Sequence, residues 1–325
     1  MNQSAIEEFL DIEIALVIER AKEEFGPSKS VDVLCRYLRM LATVELASKV
    51  GADRAVLEAA VKEPGEVMSN TPNVESMSTE QIRAMMDERY AVGDAYELRL
   101  PFDALRGTEI YCVVLDLVPP SLRHCRALDV GSSTAGIVRF WPHQDIVGVE
   151  ISAEAVKAAR AKFPNVDYRV ASIEDWSPHP GEHFSLAVAV ESIEHWQDAG
   201  RGLDAIHDAM SPEGMLVLTT PNRDSLHCRI GKKLGITVPK ISYDHVHEFG
   251  YRELIECVEQ HGFVCEESRG VHCAPYWALE EKLGIAVREL TDNDVEVNNW
   301  FNDVGRSMPA EYAFIQCHRF SWKGR

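Results

Sequence analysis

Long apolar runs and a basic leader are both missing from this 325-residue chain. No apolar stretch approaches the ~20 residues that a membrane-spanning helix needs, because charged residues interrupt every candidate. Residues Met1–Ser4 contain no basic segment that leads into an apolar stretch, which disfavours a secretory signal. These absences predict a cytoplasmic protein without a membrane partner.

Closely spaced cysteine pairs are missing as well. The chain has eight Cys, none of them in a C-x-x-C pair, and they are scattered through segments with helix-like or strand-like patterns. This distribution argues against a disulfide framework and against a zinc knot.

Basic residues are in deficit. The chain has 33 Lys and Arg against 52 Asp and Glu, which gives a formal net charge of −19. Sequence-independent affinity for nucleic acid comes mainly from Lys and Arg, so this balance disfavours a nucleic-acid partner.

Apolar residues make up 46% of the chain, which is enough to build a core. The patterns over residues 1–118 predict helices. Ser78 and Gln81 form a capping-box pattern that opens a helix over Thr79–Tyr90, and a second helix is expected from Asp103, as its N-cap, to residue 118. We predict that this helical region caps the substrate or forms a homodimer.

From Arg126 onwards, short β-rich runs alternate with helical ones. Alternation of this kind implies parallel strands joined by right-handed crossovers, so we predict a doubly wound, Rossmann-like α/β sheet. The last run has no helix after it, which suits an antiparallel final strand. This domain is assigned to residues 119–325, with insertions at about 223–244 and 272–308. Its seven predicted strands are 126–130, 145–149, 166–170, 185–190, 215–219, 263–268 and 312–320.

A turn of small residues follows the first predicted strand. It runs from Gly131 to Gly136 and reads G-S-S-T-A-G, and such a turn lets backbone N–H groups approach a ligand closely. Glu150 ends the second strand 19 residues beyond Gly131, where a carboxylate can accept both hydroxyl protons of a ribose. These features also suit a nicotinamide dinucleotide, but the turn lacks the middle glycine of G-x-G-x-x-G that admits a pyrophosphate.

The segment Asp129–Ala135 (D-V-G-S-S-T-A) resembles the D-V-G-x-G-x-G loop of class I S-adenosylmethionine (SAM) methyltransferases. The resemblance covers about residues 96–320 and includes the T-P-N ending of the fifth strand. It implies that SAM is the cofactor, that Gly131 and Ser133 belong to its loop, and that Asp129 lies near the methionine amine.

The segment Ala171–Trp176 resembles the adenine-binding segment of the same family. Ser172 stands where an Asp is usual, and the resemblance implies that Ile173 packs on the adenine ring. We therefore include Ser172 and Ile173 with Glu150 among the cofactor-binding residues.

The fourth predicted strand is followed by E-S-I-E-H-W, with Glu191, Glu194 and His195 at positions i, i+3 and i+4. Those positions share one face of a helical turn, so the three side chains can converge beside the sulfonium of the cofactor. Glu191 is for this reason also counted as cofactor-binding. A fourth ligand for a divalent metal can come from Asp244–Phe249. Taken alone, E-x-x-E-H is more often a solvated helical turn.

The same region resembles two branches of the superfamily, the ubiquinone-pathway O-methyltransferases and the small-RNA 3′-terminal ribose 2′-O-methyltransferases. Both pair E-x-x-E-H with a later His that shortly precedes a Phe and a helix. The resemblance implies Glu191, Glu194, His195 and His245 as metal ligands, with His247 as the substitute for His245. Mg²⁺, Mn²⁺ and Zn²⁺ all remain candidates; two imidazoles suit the transition metals better than Mg²⁺.

We therefore expect metal-assisted O-methylation of a hydroxyl on a small molecule such as a sugar, polyol or phenol, with vicinal hydroxyls favoured. Metal coordination lowers the pKa of an alcohol and orients it, and His195, Glu194 or Glu191 then serves catalysis. The alternatives are an RNA 3′-terminal ribose 2′-O-methyltransferase and a SAM-binding module without turnover.

Overall fold

A computed structural model describes residues 74–91, 101–141, 145–226, 228–229, 240, 242, 244–272, 303 and 305–324, without the side chains of 101–108 and 139. The chain divides into two compact units. The larger one consists of Asn73–Pro221, Ile241–Arg269 and Gln316–Arg325, and the smaller one of Met1–Pro72, Asn222–Lys240 and Gly270–Ile315. The predicted helices before residue 74 and most of both predicted insertions lie outside the described residues.

The described strands form one seven-stranded sheet in the order β3-β2-β1-β4-β5-β7-β6. β1 pairs in parallel with β2 and with β4, β2 pairs in parallel with β3, and β4 pairs in parallel with β5. The strands are β1 (Ala127–Val130), β2 (Ile146–Glu150), β3 (Asp167–Val170), β4 (Phe184–Val190), β5 (Met210–Pro221), β6 (Phe263–Val271) and β7 (Ile315–Trp322).

The last strand runs against its neighbour. The N–H of Lys323 donates to the carbonyl of Gly262, and the N–H of Phe314 donates to the carbonyl of His272. Strands β6 and β7 are therefore antiparallel. The predicted doubly wound α/β sheet with an antiparallel last strand is thereby confirmed.

Five α-helices are described, and their starts follow from local chemistry. Ser78 and Gln81 form the predicted capping box, since the N–H of Ser78 donates to Gln81 Oε1 (2.8 Å) and the N–H of Gln81 donates to Ser78 Oγ (3.3 Å). The second helix begins two residues before the predicted cap, because Pro101 suits a first helical position. The helices are α1 (Thr79–Ala91), α2 (Pro101–Leu117), α3 (Ala153–Lys162), α4 (Ala199–Ala209) and α5 (Tyr251–Gln260).

Short 3-10 segments connect these elements. They are Val74–Ser76, Pro120–Leu122, Ile137–Arg139, Ile173–Asp175, Ile193–His195 and Ala310–Tyr312. None of the described helices is both long enough and apolar enough to cross a membrane.

The core lies between the sheet and the helices that cover it. Alternate residues of the central strands, such as Leu128 and Leu216, pack with Leu203 and Ile206 of α4 and with Leu254 of α5. All five are fully buried. Burial of these side chains fixes the strands in register and holds their carboxyl ends at one edge of the sheet.

Gly148 in β2 lets the side chain of Tyr168 pass across the sheet. A Cβ at this position would lie 2.6 Å from Tyr168 Cδ1 and 2.9 Å from Ser132 Oγ. Both distances are shorter than van der Waals contact allows, so the glycine is required by its neighbours.

We expect Gly148→Ala to lower the free energy of unfolding by about 1–3 kcal/mol, as overpacking in a closed core does. The measurement is urea unfolding of the wild type, Gly148→Ala, Tyr168→Leu and the double variant. The shorter Leu side chain should remove most of the penalty of the alanine. An equal penalty with Tyr and with Leu at position 168 would contradict this explanation.

Candidate cofactor and metal-binding site

A cavity of about 460 Å³ opens at the carboxyl ends of β1, β2 and β4, within the larger unit. Ligands of doubly wound sheets bind at this edge, and the volume lies within the range of small-molecule sites. The cavity is lined by the turn after β1, by Glu150 and the Ala171–Glu174 segment, by Glu191, Ser192 and the His195–Gln197 segment, and by one face of α1.

The turn after β1 is left-handed at three positions. Gly131, Ser133 and Ala135 have φ of +69°, +49° and +76°. At Gly131 a Cβ would lie 2.3 Å from Ser192 Oγ, so glycine is needed there for space as well as for conformation. Ser133 and Ala135 hold the same conformation with small side chains, at positions where the family loop has glycine.

Glu150 is fixed by backbone donors at the end of β2. Its Oε2 accepts the N–H of Ser133 (2.9 Å) and its Oε1 accepts the N–H of Ser152 (3.0 Å). Burial raises the pKa of this carboxyl, although the backbone hydrogen bonds oppose the shift. Each carboxylate oxygen has a second lone pair, so Glu150 can still accept two ribose hydroxyls.

The segment after β3 forms the neighbouring wall. Ser172 and Ile173 both line the cavity, and Ser172 Oγ donates to Glu174 Oε2 (3.3 Å). Glu174 Oε1 in turn accepts the N–H groups of Gln197 and Asp198. One carboxylate thus ties the predicted adenine segment to the residues that follow His195.

Asp129 is placed differently from the other predicted cofactor residues. Among the described residues, the cavity lining includes Val130 and Gly131 but not Asp129. Asp129 pairs with Gly148 across the sheet, and its Oδ2 is buried with no hydrogen-bond partner among the described residues. Burial, with the nearby Glu150 carboxylate, raises the pKa of Asp129 to about 8. Its contact with the methionine amine stays a prediction.

Glu191 does not belong to a helical turn with Glu194 and His195. Its φ is +48°, and the 3-10 turn covers only Ile193–His195. The side chain instead faces β5, where Thr219 Oγ1 donates to Glu191 Oε1 (2.8 Å). The expected geometry of one helical face was therefore wrong, although Glu191 still lines the cavity.

Glu194, His195 and His245 converge on one point. One potential ligand atom from each lies within 4.8 Å of the others. Glu194 Oε2 accepts the hydroxyl of Thr220 (2.8 Å), while Oε1 is buried and has no hydrogen-bond partner among the described residues. An orphaned carboxylate oxygen beside two imidazoles is the donor set expected of a divalent-metal site.

Each imidazole is held through its Nδ1 atom. His195 Nδ1 lies 3.1 Å from the carbonyl oxygen of Asp244, and His245 Nδ1 lies 2.7 Å from Glu248 Oε1. Such partners orient metal-binding imidazoles in proteins and direct Nε2 at the metal. His247, the substitute for His245, lies outside this cluster and contacts Glu253 Oε1 (2.7 Å).

Backbone hydrogen bonds align the two halves of the cluster. The carbonyl of Glu194 accepts the N–H groups of Val246 (2.7 Å) and His247 (3.1 Å). The segment that carries His245 is therefore attached to the residue that carries the orphaned oxygen.

The charge states of the cluster follow from its burial. Burial and the nearby Glu191 raise the pKa of Glu194 well above its usual value. Burial lowers the pKa of His195 to about 4, so its imidazole is neutral and able to ligate near pH 7. Burial would raise the pKa of Asp244, but His195 and Arg89 outweigh it and hold that pKa at about 2.

Sequence patterns missed several residues of the site. Thr219 and Thr220 belong to the recognised T-P-N strand ending, and the pairing of β4 with β5 places their hydroxyls on Glu191 and Glu194. Arg89 and Tyr90 of α1 line the cavity, and Tyr90 Oη lies 2.8 Å from Ser133 Oγ. The capping-box pattern predicted α1 but gave no signal of what this helix covers.

Comparison with known proteins identifies the class. Residues 102–268, about half of the chain, match the family described as a methyltransferase domain. The chain therefore belongs to this family of methyltransferase domains. The left-handed turn, the buried Glu150 and the cavity at the strand ends fit SAM as its cofactor.

The match to named relatives covers only part of the length of each relative. The chain is 25% identical over 173 residues to a ubiquinone biosynthesis O-methyltransferase of Nitrobacter winogradskyi, covering 49% of this chain and 66% of that one. It is 32% identical over 91 residues to a trans-aconitate 2-methyltransferase of Azoarcus sp., covering 28% and 35%. The chain thus spans about a third to two thirds of the length of these relatives.

Solved methyltransferase structures also align with part of this chain. Magnesium protoporphyrin IX methyltransferase from Synechocystis PCC 6803, with bound S-adenosylhomocysteine, aligns over 76% of this chain and 100% of that chain. The TM-score is 0.49 at 11% identity, a likeness that carries no argument about substrate.

We expect Glu150→Gln to weaken S-adenosylhomocysteine binding by about 10- to 100-fold, since a hydrogen bond to a charged group contributes roughly 1.5–3 kcal/mol. Isothermal calorimetry gives the dissociation constant. Glu154→Gln is the matched control, because Glu154 is part of α3 and outside the cavity lining. Equal affinity of Glu150→Gln and the wild type would remove Glu150 from the cofactor site.

We expect Asp129 to give the cofactor-free protein a contribution to the free energy of unfolding that declines as pH rises from about 4 towards 8. Folded Asp129 keeps its proton up to about pH 8, whereas the unfolded group ionises near 3.8, so the folded state binds more protons in this window. The contribution has a slope of at most about 1.4 kcal/mol per pH unit. Urea unfolding at several pH values should show a shallower decline for Asp129→Asn; parallel curves would refute the assignment.

Proposed function

We propose that this protein is a SAM-dependent, divalent-metal-assisted O-methyltransferase that acts on a hydroxyl of a small molecule. The observation that carries the proposal is the cluster of Glu194, His195 and His245, with the orphaned Oε1 of Glu194 at its centre. His195 connects this cluster to the cavity that Glu150 and the left-handed turn also line.

The cofactor side is assigned to the loop and strand ends described above. Glu150 binds the ribose, the turn from Gly131 to Ser133 supplies close backbone approach, and Ser172 and Ile173 flank the adenine. Glu191 lines the same cavity and lies three residues before Glu194 in the sequence, so it is assigned to the cofactor side as well. SAM supplies a methyl group that its sulfonium charge already activates.

The metal side is assigned to Glu194, His195 and His245; Glu191, the fourth ligand that the resemblance implies, lies outside this cluster and is assigned to the proton instead. One carboxylate and two imidazoles suit Mn²⁺ or Zn²⁺ better than Mg²⁺, which prefers oxygen ligands. A bound divalent ion would lower the pKa of a coordinated hydroxyl and fix its direction.

The residues of the chain perform the remaining tasks. Asp244 and Glu248 hold the two imidazoles in one orientation each, and Thr220 holds the Glu194 carboxylate. The Glu191 carboxylate lines the cavity and is the group assigned to accept the hydroxyl proton, because a ligating imidazole has no lone pair left for it.

The acceptor class rests on charge and on the cluster. A net charge of −19 opposes the phosphate backbone of RNA, whereas a chelating pair of hydroxyls on a sugar, polyol or phenol needs no basic groove. The name of the ubiquinone biosynthesis O-methyltransferase relative supports transfer to oxygen.

We expect protein saturated with S-adenosylhomocysteine to bind one equivalent of Mn²⁺ or Zn²⁺ after removal of metal with a chelator. Isothermal calorimetry is the measurement, with Mg²⁺ as a third titrant. His245→Ala should abolish one-site binding, because it removes one of three clustered ligands. His247→Ala is the matched control and should bind as the wild type does, since His247 is exposed and outside the cluster.

Two results would overturn the assignment of the metal site, and a third would overturn the assignment of the acceptor. Absence of one-site binding by the wild type would leave Glu194, His195 and His245 with structural roles only. Retention of binding by His245→Ala would place any metal elsewhere. Tight binding of a short single-stranded RNA at low salt, measured by fluorescence anisotropy, would transfer the acceptor from a small molecule to RNA.

A further inference from the structure

One face of α1 forms a wall of the cavity. Residues Thr79, Ile82, Met86 and Arg89 follow helical spacing, and all four line the cavity. Among the described residues that line the cavity, Arg89 carries the only Lys or Arg side chain. Its Nη1 forms an ion pair with Asp244 Oδ2, and the Arg and Asp side chains are 12% and 1% exposed.

Asp244 also contacts His195 from two directions. Its carbonyl oxygen lies 3.1 Å from His195 Nδ1, and its Oδ2 lies 3.7 Å from the same nitrogen. Ser242 Oγ donates to the other carboxylate oxygen. The Asp244 carboxylate is therefore held by Arg89 and Ser242, and Nδ1 of His195 is hydrogen-bonded to the main-chain carbonyl of Asp244.

Loss of Arg89 would change which oxygen of Asp244 accepts the hydrogen bond from His195 Nδ1. A buried carboxylate that loses a cationic partner carries a large desolvation penalty unless another donor replaces it. The closest replacement is the Nδ1–H of His195, already within 4 Å of Oδ2. A shift of that hydrogen bond from the carbonyl to the carboxylate would turn the imidazole and move its Nε2 atom.

Other polar contacts fix α1 against the cofactor side. Asp87 Oδ1 accepts the hydroxyl of Ser152 (2.6 Å) and the N–H of Glu154 (3.2 Å), at the start of α3. Tyr90 Oη lies 2.8 Å from Ser133 Oγ. The guanidinium of Arg89 is thus presented to Asp244 from a helix that is itself attached to the cofactor loop.

We propose that Arg89 is a positioning residue for His195 and acts through Asp244. This inference rests on the proposed function only where His195 is said to bind a metal; the orientation of the imidazole is a property of the chain itself. Arg89 holds the Asp244 carboxylate away from the imidazole, so that Nδ1–H stays on the carbonyl and Nε2 faces His245.

The test compares Arg89→Met, Arg89→Lys, Asp244→Asn and the double variant Arg89→Met/Asp244→Asn. Arg83→Met is the matched control, because Arg83 is on the same helix but outside the cavity lining. The readouts are the ¹⁵N side-chain resonances of His195 by NMR, Mn²⁺ affinity, and S-adenosylhomocysteine affinity. Thermal unfolding shows which variants are folded.

Arg89→Met should shift the His195 ¹⁵N resonances and weaken Mn²⁺ binding by about 10- to 100-fold, as loss of an outer contact to a metal-binding residue does. The fall in Mn²⁺ affinity should exceed any fall in S-adenosylhomocysteine affinity, because Arg89 acts through Asp244 on a residue of the cluster. Arg89→Lys should restore part of the Mn²⁺ affinity. With Asn at position 244, removal of Arg89 should add less than about 2-fold, because the carboxylate through which it acts is gone.

His195 resonances that are the same in Arg89→Met as in the wild type would overturn the inference, and so would an equal effect of Arg83→Met. If Arg89→Met does not fold, two other comparisons decide. Unchanged His195 resonances in Arg89→Lys would overturn the inference, and so would a large further loss of Mn²⁺ affinity in the double variant relative to Asp244→Asn. A wild type that binds no metal would refute the proposed metal centre, while the resonances of His195 would still decide the role of Arg89.

Discussion

The site depends on a backbone constraint at the ends of two parallel strands. The chain leaves β1 through left-handed residues at Gly131, Ser133 and Ala135, and leaves β4 through a left-handed Glu191. For a residue with a Cβ this conformation costs roughly 1–2 kcal/mol. Hydrogen bonds offset part of that cost at two of the positions: Ser133 donates its N–H to Glu150, and Glu191 donates its N–H to Thr219 Oγ1. The sharp exits leave the cleft between β1 and β4 open.

The polar groups of the site are arranged in pairs. In each pair, one group faces the cavity or the cluster, and a second group holds the first in place by a hydrogen bond. Thr220 holds Glu194, Glu248 holds His245, and the Ser133 and Ser152 backbones hold Glu150. A ligand that enters such a site needs little reorganisation of the protein, which is the condition for strong electrostatic interaction in a buried cavity. Glu194 Oε1 has no such partner among the described residues, and the proposed cation would supply one.

The sequence was most informative where the deciding interactions are local. The capping box of Ser78 and Gln81, the alternation of strands and helices and the small-residue turn all depend on neighbours within a few positions, and the structure has each of them. The single helical face for Glu191, Glu194 and His195 was wrong, because spacing assumes helical φ and Glu191 has φ of +48°. The pairing of Arg89 with Asp244 joins residues 155 positions apart, and no local pattern encodes such a contact. Asp129 matched a motif by type and place; it pairs with Gly148 in the sheet and its carboxylate acts on Tyr168, and its contact with the methionine amine stays a prediction.

The attachment of the His245 segment to Glu194 is made by main-chain atoms alone, through the carbonyl of Glu194 and the N–H groups of Val246 and His247. Main-chain donors and acceptors persist when side chains change, so residues at 246 and 247 can vary without loss of this attachment. In the sequence, residues 222–240 connect β5 with the His245 segment, and a flexible loop between two fixed ends tolerates changes in its length. Doubling the length of such a loop costs only about 0.6 kcal/mol in closure entropy. A change in the length of this stretch should therefore cost little stability, and the cluster of Glu194, His195 and His245 should persist.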